Sequence, residues 1–131
     1  MLTDPITDYL NRIRNALLAE HEEVAIPASR LKREMTRILK EQGYITDFSV
    51  EPARVGEVIK VKLRYTDDRK PVITGMERVS RPGRRRYAPK EDVPRVFGGM
   101  GTTIMSTSRG VMTGHEARQR GVGGEVVAHV W

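Results

Sequence analysis

The spacing of apolar residues changes character once along this chain, and that change limits the folds open to it. Up to Leu39 the apolar positions recur at helical spacing: Ile6, Tyr9, Leu10, Ile13 and Leu17, then Leu31, Met35, Ile38 and Leu39. From Ile59 they alternate. Ile59, Val61, Leu63 and Tyr65 interleave with Lys60, Lys62 and Arg64, the pattern of a half-buried strand. Beyond Tyr65 the apolar segments are short and broken by glycine and proline, too short for most helices.

The punctuation agrees with this division. Asp4-Pro5 supplies an N-cap and a first helical residue, and Ser29 can cap a second helix that Gly43 ends. Glu23–Ile26 is a short strand closed by Pro27. Tyr44–Val50 is another, and Pro52–Gly56 joins it to the alternating strand as a hairpin. Residues 1–65 are thus expected to form an α-β-α-β-β domain, followed by a polar linker at 66–71. Residues 72–131 are expected to form a second, mostly β domain. It runs through a strand Val72–Ser80, a Pro82-Gly83 turn, a strand Arg84–Ala88, a helical turn at Lys90–Val93 and a loop Pro94–Gly101. Strands Thr102–Ser106 and Val111–Met112 then flank a tip. Thr113, with Glu116 three residues on, opens a short capped helix that stops at Gly121, and Glu125–Trp131 is the last strand. The expected class is α+β, two small packed domains.

Charge is distributed unevenly. The net charge is +6. Residues 1–65 hold 11 Lys+Arg against 10 Asp+Glu, a net of +1, whereas residues 66–131 hold 12 against 7, a net of +5. The excess sits in Arg78, Arg81, Arg84, Arg85, Arg86, Lys90 and Arg95. Such a run suits phosphates, or it is the solvated guard of an edge strand. There is no cysteine, which excludes disulfides and thiolate metal sites. No apolar run approaches the ~18–20 residues that span a bilayer, and Met1–Leu10 carries no basic segment of a secretory signal. The cytoplasm is the expected compartment, and no membrane partner is expected.

Enzyme motifs fail on inspection. Gly99-Met100-Gly101 begins like a dinucleotide loop, but Ile104 stands where the third glycine belongs. Ser106-Thr107-Ser108-Arg109-Gly110 resembles a nucleophile elbow with serine in the first glycine position. A hydrolase using Ser108, with His115 and Glu125, is the enzymatic alternative, and nothing in the spacing supplies an orienting base. His21, His115 and His129 lack metal-ligand spacing, so neither a metal nor a cofactor is expected.

Binding features hold up better. The hydroxyls of Ser106, Thr107 and Ser108, with Arg109 and Gly110, form a hydrogen-bonding tip close to the arginine run. On the expected strand Arg84 and Arg86 share one face, and Arg85 and Tyr87 the other. Tyr87 offers a ring for stacking on a base or ribose, or it belongs to the core rim. Glu125 follows Gly123-Gly124, where backbone can approach another molecule closely. Its carboxylate can accept from base amino groups or a ribose hydroxyl, orient an arginine, or pair with Arg109 or Arg120. A basic module that binds an acidic protein is the third reading.

Four segments carry a resemblance: LTDPITDYLNRIRNA, RVSRPGRRRY, PRVFGGMGTTIMSTSRGVMTGHEAR and GVGGEVVAHVW. Over its whole length the chain resembles the family of the eighth protein of the bacterial small ribosomal subunit. That resemblance implies two packed α/β domains and a primary binder of the central domain of small-subunit rRNA that supports platform assembly. It also implies neighbouring ribosomal proteins as partners, a free form that is monomeric, and repression of the family's own operon mRNA through a similar element. By the family's pattern, RNA contact falls on Ser106, Thr107, Ser108, Gly110, Tyr87 and the Gly124-Glu125 corner. Lighter contact falls on Thr3, Asp4, Ser29, Arg30 and Lys32. Thr102 and Thr103 depart from the family's small apolar residues ahead of the tip.

Overall fold

The computed structural model describes residues 4–131. They divide into two compact units, one spanning Pro5–Thr74 and the other Gly75–Trp131 together with Asp4.

In the first unit, helix α1 (Pro5–Leu18) buries Ile6, Tyr9, Leu10, Ile13, Ala16 and Leu17 along one face. Helix α2 (Arg30–Glu41) starts where the Ser29 hydroxyl accepts the Lys32 amide at 3.2 Å, and Gly43 follows its end at φ 82°. A three-stranded antiparallel sheet places β3 (Glu57–Leu63) between β1 (Glu23–Pro27) and β2 (Ile45–Pro52). The alternation survives in β3: Ile59, Val61 and Leu63 are buried, whereas Lys60 and Lys62 are not. One polar link crosses this core. Thr36 Oγ1 donates to the Lys32 carbonyl at 2.7 Å, which leaves it to accept from the Tyr9 hydroxyl, also at 2.7 Å. Burial outweighs that bond and raises the Tyr9 pKa.

The second unit is built around β8 (Gly124–Val130). Along one edge β8 pairs with β6 (Thr102–Thr107), which pairs in turn with β7 (Gly110–Thr113). Two short strands pair with β8 in succession: β4 (Met76–Arg78) along Ala128–Val130 and β5 (Tyr87–Ala88) along Gly124–Glu125. The chain between them therefore leaves β8 and returns to it. Helix α3 (Gly114–Arg120) is capped by Thr113, whose hydroxyl accepts the Glu116 amide at 3.1 Å, and ends at Gly121 with φ 65°. Ala88, Val93, Met105, Met112, Ala117 and Val126 form the apolar cluster of this unit.

Three details differ from expectation. The strand expected over Val72–Ser80 is reduced to Met76–Arg78, and that over Arg84–Ala88 to Tyr87–Ala88. Two local causes act. The β6–β8 register jumps from Ala128 to Val126, leaving Val127 as an extra residue that breaks regular pairing. Arg81 and Arg84 then close the Pro82-Gly83 turn through reciprocal backbone bonds of 3.1 and 2.9 Å. Finally, the loop expected over Pro94–Gly101 contains a 3-10 turn at Phe97–Gly99.

Candidate nucleic-acid interface

The β6–β7 hairpin pairs Thr107 with Gly110, so its turn is only Ser108-Arg109. The expected tip of three hydroxyls is narrower than the sequence suggests, because Ser106 and Thr107 belong to β6. The Thr107 hydroxyl is used within the turn. It accepts the Arg109 amide at 3.1 Å and donates to the Gly110 carbonyl at 2.8 Å. Gly110, at φ 111°, meets a backbone demand that other residues resist. Ser108, Arg109 and Gly110 are exposed.

Successive strand side chains point to opposite faces, which separates Ser106 from Thr107. Cross-strand register then gives Ser106 its neighbours. It lies opposite Glu125 on β8, and Glu125 lies opposite Tyr87 on β5. Tyr87, Glu125 and Ser106 thus form a row on one sheet face at strand spacings of about 4.8 Å. Tyr87 is 71% exposed, so it is not a core tyrosine.

Glu125 ties this row to the arginine turn. Ser80, fully buried, donates its hydroxyl to Glu125 Oε2 at 2.5 Å and accepts the Arg86 amide at 3.1 Å. Arg85 Nη1 donates to the same carboxylate oxygen at 3.1 Å. The partner expected for Glu125 among Arg109 and Arg120 is therefore replaced by Arg85. With the carboxylate so engaged, Ser108, His115 and Glu125 are not assembled as a catalytic relay.

The strand face expected to carry Arg84 and Arg86 together does not form, because β5 begins only at Tyr87, but the two come together in another way. They line a shallow groove with Arg78, Arg81, Glu77 and Val79. Arg78 is neutralised there. It donates to both Asp4 carboxylate oxygens, at 3.0 and 3.4 Å, and to the Val127 carbonyl at 2.9 Å. Arg81, Arg84 and Arg86 are exposed, and among the described residues none of them forms an ion pair. Among the described residues lining the groove, the guanidinium charges of Arg81, Arg84 and Arg86 stand against the carboxylate of Glu77, which favours an anionic occupant.

The Gly123-Gly124 pair is explained within the sheet. A Cβ at Gly124 would stand 2.4 Å from the Ser106 carbonyl oxygen, and one at Gly123 would stand 2.4 Å from that of Ala88. The close approach that these glycines permit is made by the chain's own backbone.

The remaining expected residues are placed as follows. Asp4 is committed to Arg78. In the other unit the Ser29 hydroxyl caps α2. Lys32 is buried, with Nζ 3.3 Å from the Pro27 carbonyl, and Arg30 is exposed. Thr3 lies outside the described residues. Among the described residues no group of three His, Cys, Asp or Glu side chains is placed to hold a metal. His129 is half-buried, its Nδ1 3.1 Å from Thr103 Oγ1. Burial lowers its pKa more than nearby Glu77 raises it.

Sequence reading passed over Ser80, and it named Arg81 and Arg85 only as members of the basic run. The available signal was a serine directly before an Arg-Pro-Gly turn. What hid it was the need for Glu125, distant in sequence, to complete the bond.

Comparison with known proteins gives a consistent result. The family model described as Ribosomal protein S8 matches residues 4–131. A protein of Roseiflexus castenholzii named Small ribosomal subunit protein uS8 is 53% identical over 130 residues, covering 99% of this chain and 98% of that protein. Proteins of the same name are similar at 53% identity over 131 residues in Desulforudis audaxviator, with 100% of both chains covered, and at 49% over 130 residues in Corynebacterium jeikeium, with 99% and 98% covered.

Proposed function

The chain belongs to the ribosomal protein S8 family, and on that premise we propose that its second unit reads the shape of folded small-subunit rRNA. The coarse role follows from membership. The protein is a structural constituent of the small ribosomal subunit and not an enzyme, and it works in the cytoplasm with rRNA and other ribosomal proteins. No helix among the described residues is long and apolar enough to cross a membrane.

The finer reading assigns two tasks to neighbouring surfaces. A-form RNA hides its base edges in a deep major groove and shows ribose hydroxyls and base edges in a shallow minor groove. The hydroxyls of Ser106 and Ser108 would bond in that groove or in an irregular internal loop, and Tyr87 would pack on a sugar or base. Arg81, Arg84 and Arg86 would hold flanking phosphates, with Arg109 at the turn. Thr107, Gly110 and Gly124 shape the hairpin, while Glu125 orients Arg85 and supports the arginine turn. The observation that carries this reading is the row Tyr87–Glu125–Ser106, joined through Ser80 to a groove of uncompensated arginines.

On this reading residues 72–131 form the RNA-binding domain, and residues 1–65, joined through 66–71, touch RNA more lightly through Arg30. The RNA is the central domain of small-subunit rRNA, bound early to support platform assembly. Repression through a similar element in the operon mRNA is a further consequence of such recognition. Footprinting of the purified chain on small-subunit rRNA tests it. Protection confined to one central-domain element is expected, and protection scattered over the molecule would refute it.

A further inference from the structure

A row of side chains crosses the second sheet beside the arginine groove. Glu77 on β4 lies directly opposite His129 on β8, and Thr103 on β6 lies opposite His129 on its other side. Residues in direct register share a sheet face, with Cβ atoms about 4.5–5.5 Å apart. Glu77, His129 and Thr103 therefore stand side by side. The RNA contacts proposed above do not use this row.

Hydrogen bonding fixes the state of the imidazole. Thr103 Oγ1 spends its proton on the Pro94 carbonyl, at 3.2 Å. It can meet His129 Nδ1, 3.1 Å away, only as an acceptor. Nδ1 therefore carries the proton of the neutral ring, and Nε2 is the nitrogen that titrates. The elements packed around His129 bring several charges. β4 brings Glu77, and the loop ahead of β6 brings Glu91, Asp92 and Arg95, all exposed. Helix α3 brings Arg118, which donates to the Val93 and Pro94 carbonyls at 3.5 and 3.4 Å. On β8 itself Glu125 is bonded to Ser80 and Arg85. Burial opposes a charge on the His129 ring, and Glu77 favours one.

Glu77 also lines the groove of Arg81, Arg84 and Arg86, where Arg78 is bound to Asp4. The same carboxylate thus stands beside the imidazole and beside the guanidiniums. While His129 is neutral, Glu77 opposes an anion in the groove. A proton on Nε2 sets a positive charge next to Glu77 and offsets it. Linkage makes the effect mutual, because an anion held by the arginines favours the protonated ring in return.

We propose that Glu77 and His129 make the arginine groove a proton-linked anion site, which holds RNA phosphates more tightly once His129 is protonated. The proposal rests on the RNA reading above and adds to it a control by pH. A merely structural His129 would fill the same space without its charge reaching the groove.

The test titrates the full chain with small-subunit rRNA at about pH 7.5 and about pH 5.5, on either side of the ordinary histidine value. Salt is held constant, because it screens such charges. The parent is expected to bind about threefold more tightly at the lower pH, and His129→Asn should lose that gain. Glu77→Gln, at an exposed position, should bind about threefold more tightly than the parent at the higher pH. In the free chain, proton NMR of the His129 ring should show its titration midpoint moving down in Glu77→Gln. An equal gain in the parent and His129→Asn, or a midpoint unmoved in Glu77→Gln, would overturn the proposal. Failure of the parent to bind rRNA at either pH would instead overturn the RNA reading, and the proposal with it.

Discussion

Ser80 and Glu125, 45 residues apart in sequence, share a hydrogen bond of 2.5 Å that fastens the arginine turn to the strand facing Ser106. Ser80 also accepts the Arg86 amide, so one buried hydroxyl satisfies two groups. Ser80→Ala should leave both short of a partner and cost about 1–3 kcal/mol of stability. Urea denaturation measures this, and a loss below about 0.5 kcal/mol would show the bond to be incidental.

Gly124→Ala forces a methyl group against the Ser106 carbonyl oxygen, 2.4 Å from an ideal Cβ. The obstacle is backbone, which cannot swing aside as a side chain can. A destabilisation of about 1–3 kcal/mol or more is expected, by the mechanism of overpacking. Unchanged stability with lost RNA binding would instead make Gly124 a ligand-approach residue.

Much of this framework is legible in the sequence, for identifiable reasons. The helical stripes, the Ser29 and Thr113 caps, the Gly121 stop and the alternation through Ile59–Leu63 are all local signals, and the structure contains each of them. The short β4 and β5 are not legible, because they depend on an irregularity at Val127 on another strand and on the Arg81–Arg84 turn between them. The same holds at the site. A cluster of hydroxyls and arginines is visible in the sequence. Which hydroxyl is spent inside the turn, and which arginine Glu125 takes, depends on register and on long-range bonds. Lys32 illustrates the limit: the resemblance makes it a light RNA contact, but helix α2 turns it inward.

The half-buried His129 predicts a pH dependence of stability. Its folded pKa lies below the ordinary value of 6.5, mainly through burial. The unfolded chain therefore binds a proton first as pH falls, which favours unfolding. Stability present above about pH 6.5 should decline as pH drops through the interval down to the folded pKa. His129→Asn should remove that part of the decline in denaturation curves between neutral pH and pH 5, and an unaltered slope would contradict it.

Arg84 is exposed and, among the described residues, without an ion pair, in a groove that favours anions. Arg84→Ala should weaken binding to small-subunit rRNA and to random duplex RNA alike. It should also reduce the slope of log affinity against log salt by about one unit. An unchanged slope would take Arg84 out of the phosphate contacts.

The central claim is that discrimination resides in the exposed hydroxyls of the β6–β7 hairpin and attraction in the arginines. Its most direct test is titration of the parent chain and Ser108→Ala against small-subunit rRNA and random duplex RNA at one fixed salt concentration. The Thr107 hydroxyl closes the turn and Ser108 is exposed, so loss of the Ser108 hydroxyl should spare the fold. A loss of about 1–3 kcal/mol on the rRNA, with under about 0.5 kcal/mol on random duplex, is the predicted result. Equal losses on both RNAs would contradict it.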